Sequence, residues 1–488
     1  MKATAAVCGI FAVAGWAVAA WLFLSKPLPS IVIASNSDAA GSVTKSDPVP
    51  AIPSQEGSLA RVFQSWSADP QLAGALVGFC LLDENGAAVY ASPLASTALC
   101  PASALKTVTT AVALELLGPE FRFTTSLVSD VEINASGAVD GDLKLVSDGD
   151  PTFSSEDLEA LAEQVTKAGL KQVNGKLVIE GADFREPPVN DHWNWGDIGN
   201  AYGAGAFGFN LDHNRLTLRF QPAVAEGQPA ALLNPDGATK DTKWINEVVT
   251  GPAGTGDRVV IYSQPNGRTI TLRGSVPLGE SNFAVTGALP DPPVKVKELL
   301  QAKLQAAGVR FPGRKIPARS GVVVLAEHRS SPLPEIIDHL HKVSDNLEAQ
   351  CLFQTIGLRK VTDPDPAYTV RTYWEGRGLE FKGLRLIDGS GLARANMIRP
   401  LDLAKVNHLA RRGPHGERFR QSLTAYVDGK VRAKLGAMSG VKTDVGFITM
   451  PDGREFTFCL MSNGLNPQLN YWPLRDKLLQ QIAAGADR

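Results

Sequence analysis

Pro101-Ala102-Ser103-Ala104-Leu105-Lys106 opens a run, Thr107 to Leu117, that is apolar or threonine at every position but Glu115 and is stopped by Gly118-Pro119. That pattern reads as a buried helix with a clear C-terminal signal. Ser103 stands at its start and Lys106 three residues on, a spacing that shares one helix face, so the amine can reach the hydroxyl. A serine hydroxyl is a weak nucleophile until a base takes its proton. A lysine serves as that base when burial or a second cation depresses its pKa. The helix N-terminus would also offer backbone N–H groups to a developing oxyanion. S-x-x-K occurs three times in the chain, also at Ser42–Lys45 and Ser439–Lys442, but only Ser103–Lys106 opens a buried helix. Alone, the pair reads equally as an N-cap and a first-turn lysine.

Two further elements lie downstream. Ser344-Asp345-Asn346 separates an amphipathic helix (Ile336, Ile337, Leu340, Val343) from a second one (Leu347, Leu352, Ile356) that ends at Gly357. A polar triplet there is a turn whose side chains can enter a cleft. Ser344 could relay a proton and Asn346 could hold an amide. Val431-Arg432-Ala433-Lys434-Leu435-Gly436 is a strand-like run with a cation before a glycine. By itself it is an edge strand with a solvated lysine.

Around these elements, residues 58–67 have helical spacing, and 75–82 with 87–91 read as a hairpin about Asn85-Gly86. At the other end, 444–450 and 455–462 form a second hairpin about Asp452-Gly453, followed by a helix with Leu474, Leu478 and Ile482. Helix-hairpin at one end and hairpin-helix at the other predict that both ends share one sheet. Between them, strand patterns at 141–146, 174–180, 215–220, 258–263 and 268–273 and helices at 155–168 and 293–307 predict one or two inserted, largely β domains, with a turn at Gln264-Pro265-Asn266-Gly267.

The 488 residues are 44% hydrophobic and 20% charged, ordinary values for folded domains. With 48 basic and 50 acidic residues the net charge is −2, which does not suit a nucleic-acid partner. Ala3 to Leu24 carries no charge. As a helix it would rise about 33 Å, enough to span a membrane, whereas secretory signals have apolar regions of about 7–15 residues. Residues 1–26 are therefore expected to be a signal anchor, or a signal peptide cut after Val32-Ile33-Ala34, leaving a periplasmic or other extracytoplasmic body tied to the membrane if uncut. Residues 27–57 have linker composition. The expected body is a catalytic domain in two parts, 58–128 and 326–488, interrupted by the insertion at 129–325. No CxxC or HExxH pattern supports a metal site, and no cofactor is expected.

S-x-x-K, S-D-N and a K-x-G strand in this order match the motif set of penicillin-binding proteins and class A β-lactamases. The chain resembles the D-alanyl-D-alanine carboxypeptidase/endopeptidase family (peptidase family S13), the low-molecular-mass class C penicillin-binding proteins. The resemblance rests on PASALKTVTTAVALELLGPEFRFTT at 101–125, DGDPTF at 148–153, YGAGAFGFNLDHN at 202–214, SSPLPEIIDHLHKVSDNLEAQ at 330–350, LIDGSGLARANMIRP at 386–400 and VRAKLGAMSGV at 431–441. It spans 58–480, and the long gap from Ser103 to Ser344 fits a large insertion and not a class A β-lactamase.

The resemblance implies an α+β penicillin-binding, serine β-lactamase-like fold, an antiparallel sheet flanked by helices. It implies that Ser103 forms an acyl-enzyme, Lys106 is the general base, Ser344 and Lys434 pass a proton to the leaving amine, and Asn346 binds the peptide amide. Backbone N–H groups of Ser103 and Ala437 would form the oxyanion hole. Asp345, Leu435, Gly436 and Ala437 would border the substrate, and Asp388-Gly389-Ser390-Gly391 would support the cleft. Substrates would be peptidoglycan stem peptides, with β-lactam antibiotics as covalent inhibitors. The third motif departs from the family's K-T-G-T: Lys434-Leu435-Gly436-Ala437 lacks both threonines, which implies weakened recognition of a terminal carboxylate. Gln350 stands where the family usually has Glu. Two alternatives remain open: a degenerate member that binds cell wall without catalysis, favoured by Leu435, and a related serine esterase or β-lactamase. The family fold also brings the segments of Cys80 and Cys100 close, which leads us to expect a disulfide between them.

Overall fold

Helix α1 (Ser58–Ser67) forms over the segment whose spacing predicts it and buries Leu59, Phe63 and Trp66. The chain then runs through strands β1 (Leu76–Leu82) and β2 (Ala88–Ala91). Their turn is tied by the Asp83 carboxylate, which accepts from the backbone N–H of Asn85 and Ala87 at 2.9 Å each. This computed structural model describes residues 57–485, apart from 234–237, 315, 317–320 and 359–364. The expected signal segment, and all of the linker but Gly57, lie outside the described residues. Among the described residues no helix is long and apolar enough to cross a membrane.

Four strands near the C-terminus complete the sheet: β3 (Thr424–Tyr426), β4 (Val431–Met438), β5 (Val441–Thr449) and β6 (Glu455–Asn463). The order is β3-β4-β5-β6-β1-β2, and every neighbouring pair is antiparallel. β1 pairs with β6 from Leu76↔Asn463 to Leu82↔Thr457, so the two ends of the body do share one sheet.

Strand alternation sorts the side chains onto two faces. Cys80, Leu82, Val445, Phe447, Cys459 and Met461 face a core shared with α2 (Lys106–Leu116), α3 (Leu333–Val343), α4 (Asn346–Leu358), α5 (Pro366–Glu375), α6 (Pro400–Arg412) and α7 (Gly416–Ser422). Phe79, Leu81, Ile448, Phe458 and Leu460 face a second core under α1 and α8 (Tyr471–Ala483). Helices thus cover both faces of one antiparallel sheet, an α+β arrangement.

Between α2 and α3 the chain builds other sheets. Strands Thr124–Ser129 and Val323–Arg329, which straddle the two expected domain boundaries, pair with each other. They belong to a four-stranded sheet packed on helices Ser155–Lys167 and Pro292–Ala306. The first of these helices begins with a capping box between Ser154 and Asp157. Two three-stranded sheets share a further core that includes Leu218, Phe220, Ile270 and Leu272.

The expected Cys80–Cys100 disulfide is not formed: both are free, buried thiols. Cys80 stands opposite Cys459 in the β1–β6 register, and Cys100 packs beside Ala102 and Val441. An amide takes over the tethering role. Asn463 Oδ1 accepts from Cys100 N at 2.9 Å and Asn463 Nδ2 donates to Cys100 O at 3.1 Å, which ties the segment before Ser103 to the end of β6.

Candidate active site

Ser103 lies one step before the α-helix and not within it. Ala102–Leu105 is a 3-10 turn, and α2 starts at Lys106. Ala102 is held at φ 47°, a conformation uncommon for a residue with a Cβ. Two glycines let backbone close around this turn. A Cβ on Gly436 would come within 2.7 Å of Pro101 O and 2.9 Å of Ala104 N. Gly391, at φ 82°, would place one 2.0 Å from Ala102 O. β4 and the 388–391 loop therefore clamp the Ser103 turn from two sides.

Lys106 is fully enclosed. Its Nζ has three partners: Ser103 Oγ at 2.9 Å, Asn346 Oδ1 at 2.6 Å and Ser390 O at 2.6 Å. Two are carbonyl oxygens, which only accept; the third is a hydroxyl, which also donates. A neutral amine has two N–H groups and one lone pair. Giving the N–H groups to Asn346 and Ser390 leaves the lone pair for the Ser103 O–H. Burial, and next the charge of Lys434, push the Lys106 pKa well below its usual value, against the pull of Asp388 and Asp345.

Lys434 projects from β4 and is also buried. Its Nζ donates to Ser344 Oγ at 2.9 Å and to Leu435 O at 3.0 Å. Burial lowers its pKa to about 8, partly offset by Asp444, so it carries its charge at neutral pH. His341 lies enclosed between Thr110 Oγ1 (3.1 Å) and Ser422 Oγ (2.8 Å). Burial, then Lys434 and Lys106, hold its pKa well down, so it adds no third charge.

Ser344 ends α3 in the left-handed region, φ 60° and ψ 41°. Asn346 opens α4, and its amide is oriented by a second contact: Nδ2 donates to Tyr202 O at 2.7 Å, which turns Oδ1 toward Lys106. Asp345, expected to border the substrate, instead turns into the protein and is 2% exposed. It accepts from Arg215 Nη2 at 2.7 Å and from the Glu348 N–H at 2.9 Å. Burial pushes its pKa up, but His213, the Glu348 N–H and Arg215 outweigh that and hold it at about 2. It anchors the triplet to a residue of the inserted region.

On β4, alternation puts Lys434 and Gly436 toward the Ser103 turn, and the side chains of Leu435 and Ala437 on the other face. Leu435 stands opposite Asp444 and Ala437 opposite Lys442. Strand β3 pairs only as far as Ala433, so among the described residues the Lys434–Met438 stretch pairs with β5 alone.

Sequence reasoning brought Ser103, Lys106, Ser344, Asn346 and Lys434 to one place. It missed the Ser390 and Tyr202 carbonyls, because a backbone oxygen leaves no residue-type signature. Both lie inside quoted stretches, 386–400 and 202–214. Asp388 holds the first of these loops: its carboxylate accepts from Trp193 Nε1 (2.7 Å), Gly391 N (2.7 Å), Ala393 N (2.8 Å) and Asn396 Nδ2 (3.0 Å).

The protein was compared with known families and structures. It is 30% identical over 429 residues to a D-alanyl-D-alanine carboxypeptidase of Actinomadura sp. (strain R39), covering 81% of this chain and 79% of that one. It is 25% identical over 415 residues to the D-alanyl-D-alanine carboxypeptidase DacB of Haemophilus influenzae, covering 80% and 86%. The crystal structure of penicillin binding protein 4 (dacB) from Haemophilus influenzae matches with a TM-score of 0.75 at 22% identity, over 87% of this chain and 98% of that one, which shows the penicillin-binding fold. The family model of the D-Ala-D-Ala carboxypeptidase 3 (S13) family matches residues 59–477, and this chain belongs to that family.

Proposed function

We propose that the chain is a serine DD-peptidase that cleaves D-Ala-D-Ala bonds or peptide cross-links in peptidoglycan through an acyl-enzyme on Ser103. The observation that carries this reading is the sharing of Lys106 Nζ by Ser103 and Asn346, with Lys434 and Ser344 paired beside them. Ser103 Oγ attacks the peptide carbonyl carbon while its proton passes to the Lys106 lone pair. General-base help of this kind is worth about 10²- to 10⁴-fold in rate. The C–N bond then breaks, and the leaving amine takes a proton through Ser344, which Lys434 orients. The oxyanion is held by the N–H groups of Ser103 and Ala437, and water later hydrolyses the ester. The one-sided pairing of β4 beyond Ala433 leaves an edge along which an extended peptide can lie.

β-Lactams enter the same scheme as acylating inhibitors. A second crystal structure of the Haemophilus protein, a complex with a β-lactam, matches with a TM-score of 0.71. A peptidoglycan substrate calls for a body outside the cytoplasm, in keeping with the uncharged segment Ala3 to Leu24. The test is mass spectrometry after exposure to benzylpenicillin. One adduct is expected on the Ser103 peptide, absent in Ser103→Ala and kept in Ser439→Ala. An adduct that survives Ser103→Ala refutes the assignment.

A further inference from the structure

Behind Lys106 lies a second layer of hydrogen bonds that the chemistry above does not use. The Ser390 carbonyl that receives the Lys106 N–H belongs to a loop fixed one residue earlier. Gly389 N donates to Gln350 Oε1 at 2.9 Å, and Thr109 Oγ1 donates to Gly389 O at 2.8 Å. Gln350 is 2% exposed, and its other end is also engaged: Nε2 donates to Glu186 Oε2 at 3.2 Å. Gln354, equally buried one turn along α4, donates Nε2 to the same oxygen at 3.0 Å. A carboxylate from the inserted region thus holds two amides of α4, and one of them holds the loop that faces Lys106.

We propose that Glu186 and Gln350 are positioning residues for the reaction, setting the place of the Ser390 carbonyl and through it the orientation of the Lys106 amine. This rests on the reading of Lys106 as general base. In this chain the amide at 350 lets Gln350 accept from Gly389 N and donate to an ionised Glu186 at the same time. A carboxylate does the first but, when ionised, cannot do the second. Glutamate at 350 would put two carboxylates about as far apart as the present 3.2 Å contact, a distance at which only one can be ionised. The site is poorly suited to a further negative charge. Burial, then Asp365 and Asp388, already push the Glu186 pKa up to about 7, against the two amide hydrogen bonds.

The test measures the second-order rate constant of acylation by a fluorescent penicillin at pH 8, with melting temperature recorded for each variant. Gln350→Glu should acylate about 10- to 100-fold more slowly, as expected for a displaced catalytic group. The charge swap Glu186→Gln/Gln350→Glu restores one carboxylate and one amide, and should regain most of that loss. Should Gln350→Glu fail to fold, Glu186→Leu, at a half-buried position, asks the same question and should lose about tenfold, by the same displacement. Wild-type rates in Gln350→Glu or Glu186→Leu, or a swap no faster than Gln350→Glu with both folded, overturn the inference while leaving the acyl-enzyme intact. A wild-type protein that forms no Ser103 adduct overturns the reading of function, and this inference with it.

Discussion

The surroundings of Lys106 and Lys434 differ in a way that separates their tasks. Lys106 is ringed by two carbonyl oxygens and one hydroxyl. Lys434 meets one hydroxyl and its neighbour's carbonyl, with Asp444 nearby. Burial lowers both pKa values, but only Lys106 is pressed further by another cation. In the proposed reaction one lysine is thereby neutral and takes a proton, while the other is charged and orients Ser344. The comparison teaches that burial lowers both lysines and that the fold places them close enough for the charge of one to lower the other further.

The sharpest way to break this comparison is to remove the base. Lys106→Met keeps the apolar stem and deletes the amine. Acylation by penicillin should fall about 10³-fold, within the range for losing a general base. A loss under about tenfold, by the same measure, would move the base elsewhere. Lys434→Gln should cost less, about 10- to 100-fold: it removes a charge that orients a relay and helps hold the Lys106 pKa down, but burial still lowers that pKa and the amine itself remains.

The two lysines also predict a pH profile. The Lys434 pKa is lowered to about 8, so its charged form is lost as pH rises through that value. Acylation should therefore fall above about pH 8 and hold below it, until Lys106 takes a proton at lower pH. Lys434→Arg keeps the charge at every accessible pH. In that variant the alkaline limb should vanish even if the maximum rate is reduced. A limb near pH 8 that persists in Lys434→Arg would assign it to another group.

A third prediction concerns stability. Asp345 is buried and its pKa lies at about 2, below the usual 3.8, chiefly because His213, the Glu348 N–H and Arg215 outweigh its burial. A depressed carboxyl stabilises the fold above its unfolded pKa, and the contribution is lost as pH falls from about 4 through about 2. Asp345→Ala should cost roughly 2–3 kcal/mol at pH 7, read from denaturant unfolding. The same variant should show a shallower loss of stability on acidification than the wild type.

The Asn85-Gly86 and Asp452-Gly453 turns, with strand-like runs on either side, gave away the shared sheet, because hairpin chemistry is local. Ser103, Lys106, Ser344, Asn346 and Lys434 were singled out by motif order, and the structure brings them together. The close contacts of Gly391 and Gly436 with the 3-10 turn were not legible, since they depend on strands and loops far apart in the chain. The Cys80–Cys100 expectation failed because sequence does not tell which neighbour a strand will have; β6 puts Cys459 opposite Cys80. Asp345 was misjudged because one residue in a tight turn points opposite to the next, and its partner Arg215 lies 130 positions away.

The smallest expected effect belongs to Leu435, where the resemblance implies a threonine. Lys434 and Leu435 are adjacent but project to opposite faces of β4, and Leu435 stands directly across from Asp444. Asp444 is fully buried: Oδ1 accepts from Arg475 at 3.0 Å and Tyr426 at 3.1 Å, while Oδ2 has no hydrogen-bond partner among the described residues. Side chains directly opposite in an antiparallel pair have Cβ atoms about 4.5–5.5 Å apart, within reach for a hydroxyl and a carboxylate. A threonine at 435 would thus find an unsatisfied acceptor inside the sheet before it found a substrate. Leu435→Thr should stabilise the fold by about 1 kcal/mol, a typical net hydrogen-bond contribution. It should change hydrolysis of a pentapeptide ending in D-Ala-D-Ala by less than about threefold, well below the tenfold that 1.4 kcal/mol of transition-state binding would give. Ala437→Thr, on the same face but exposed, carries the comparison to the strand's open end. If Leu435→Thr instead speeds pentapeptide hydrolysis more than about tenfold while leaving a cross-linked, amidated substrate unchanged, the hydroxyl serves the substrate carboxylate and not Asp444.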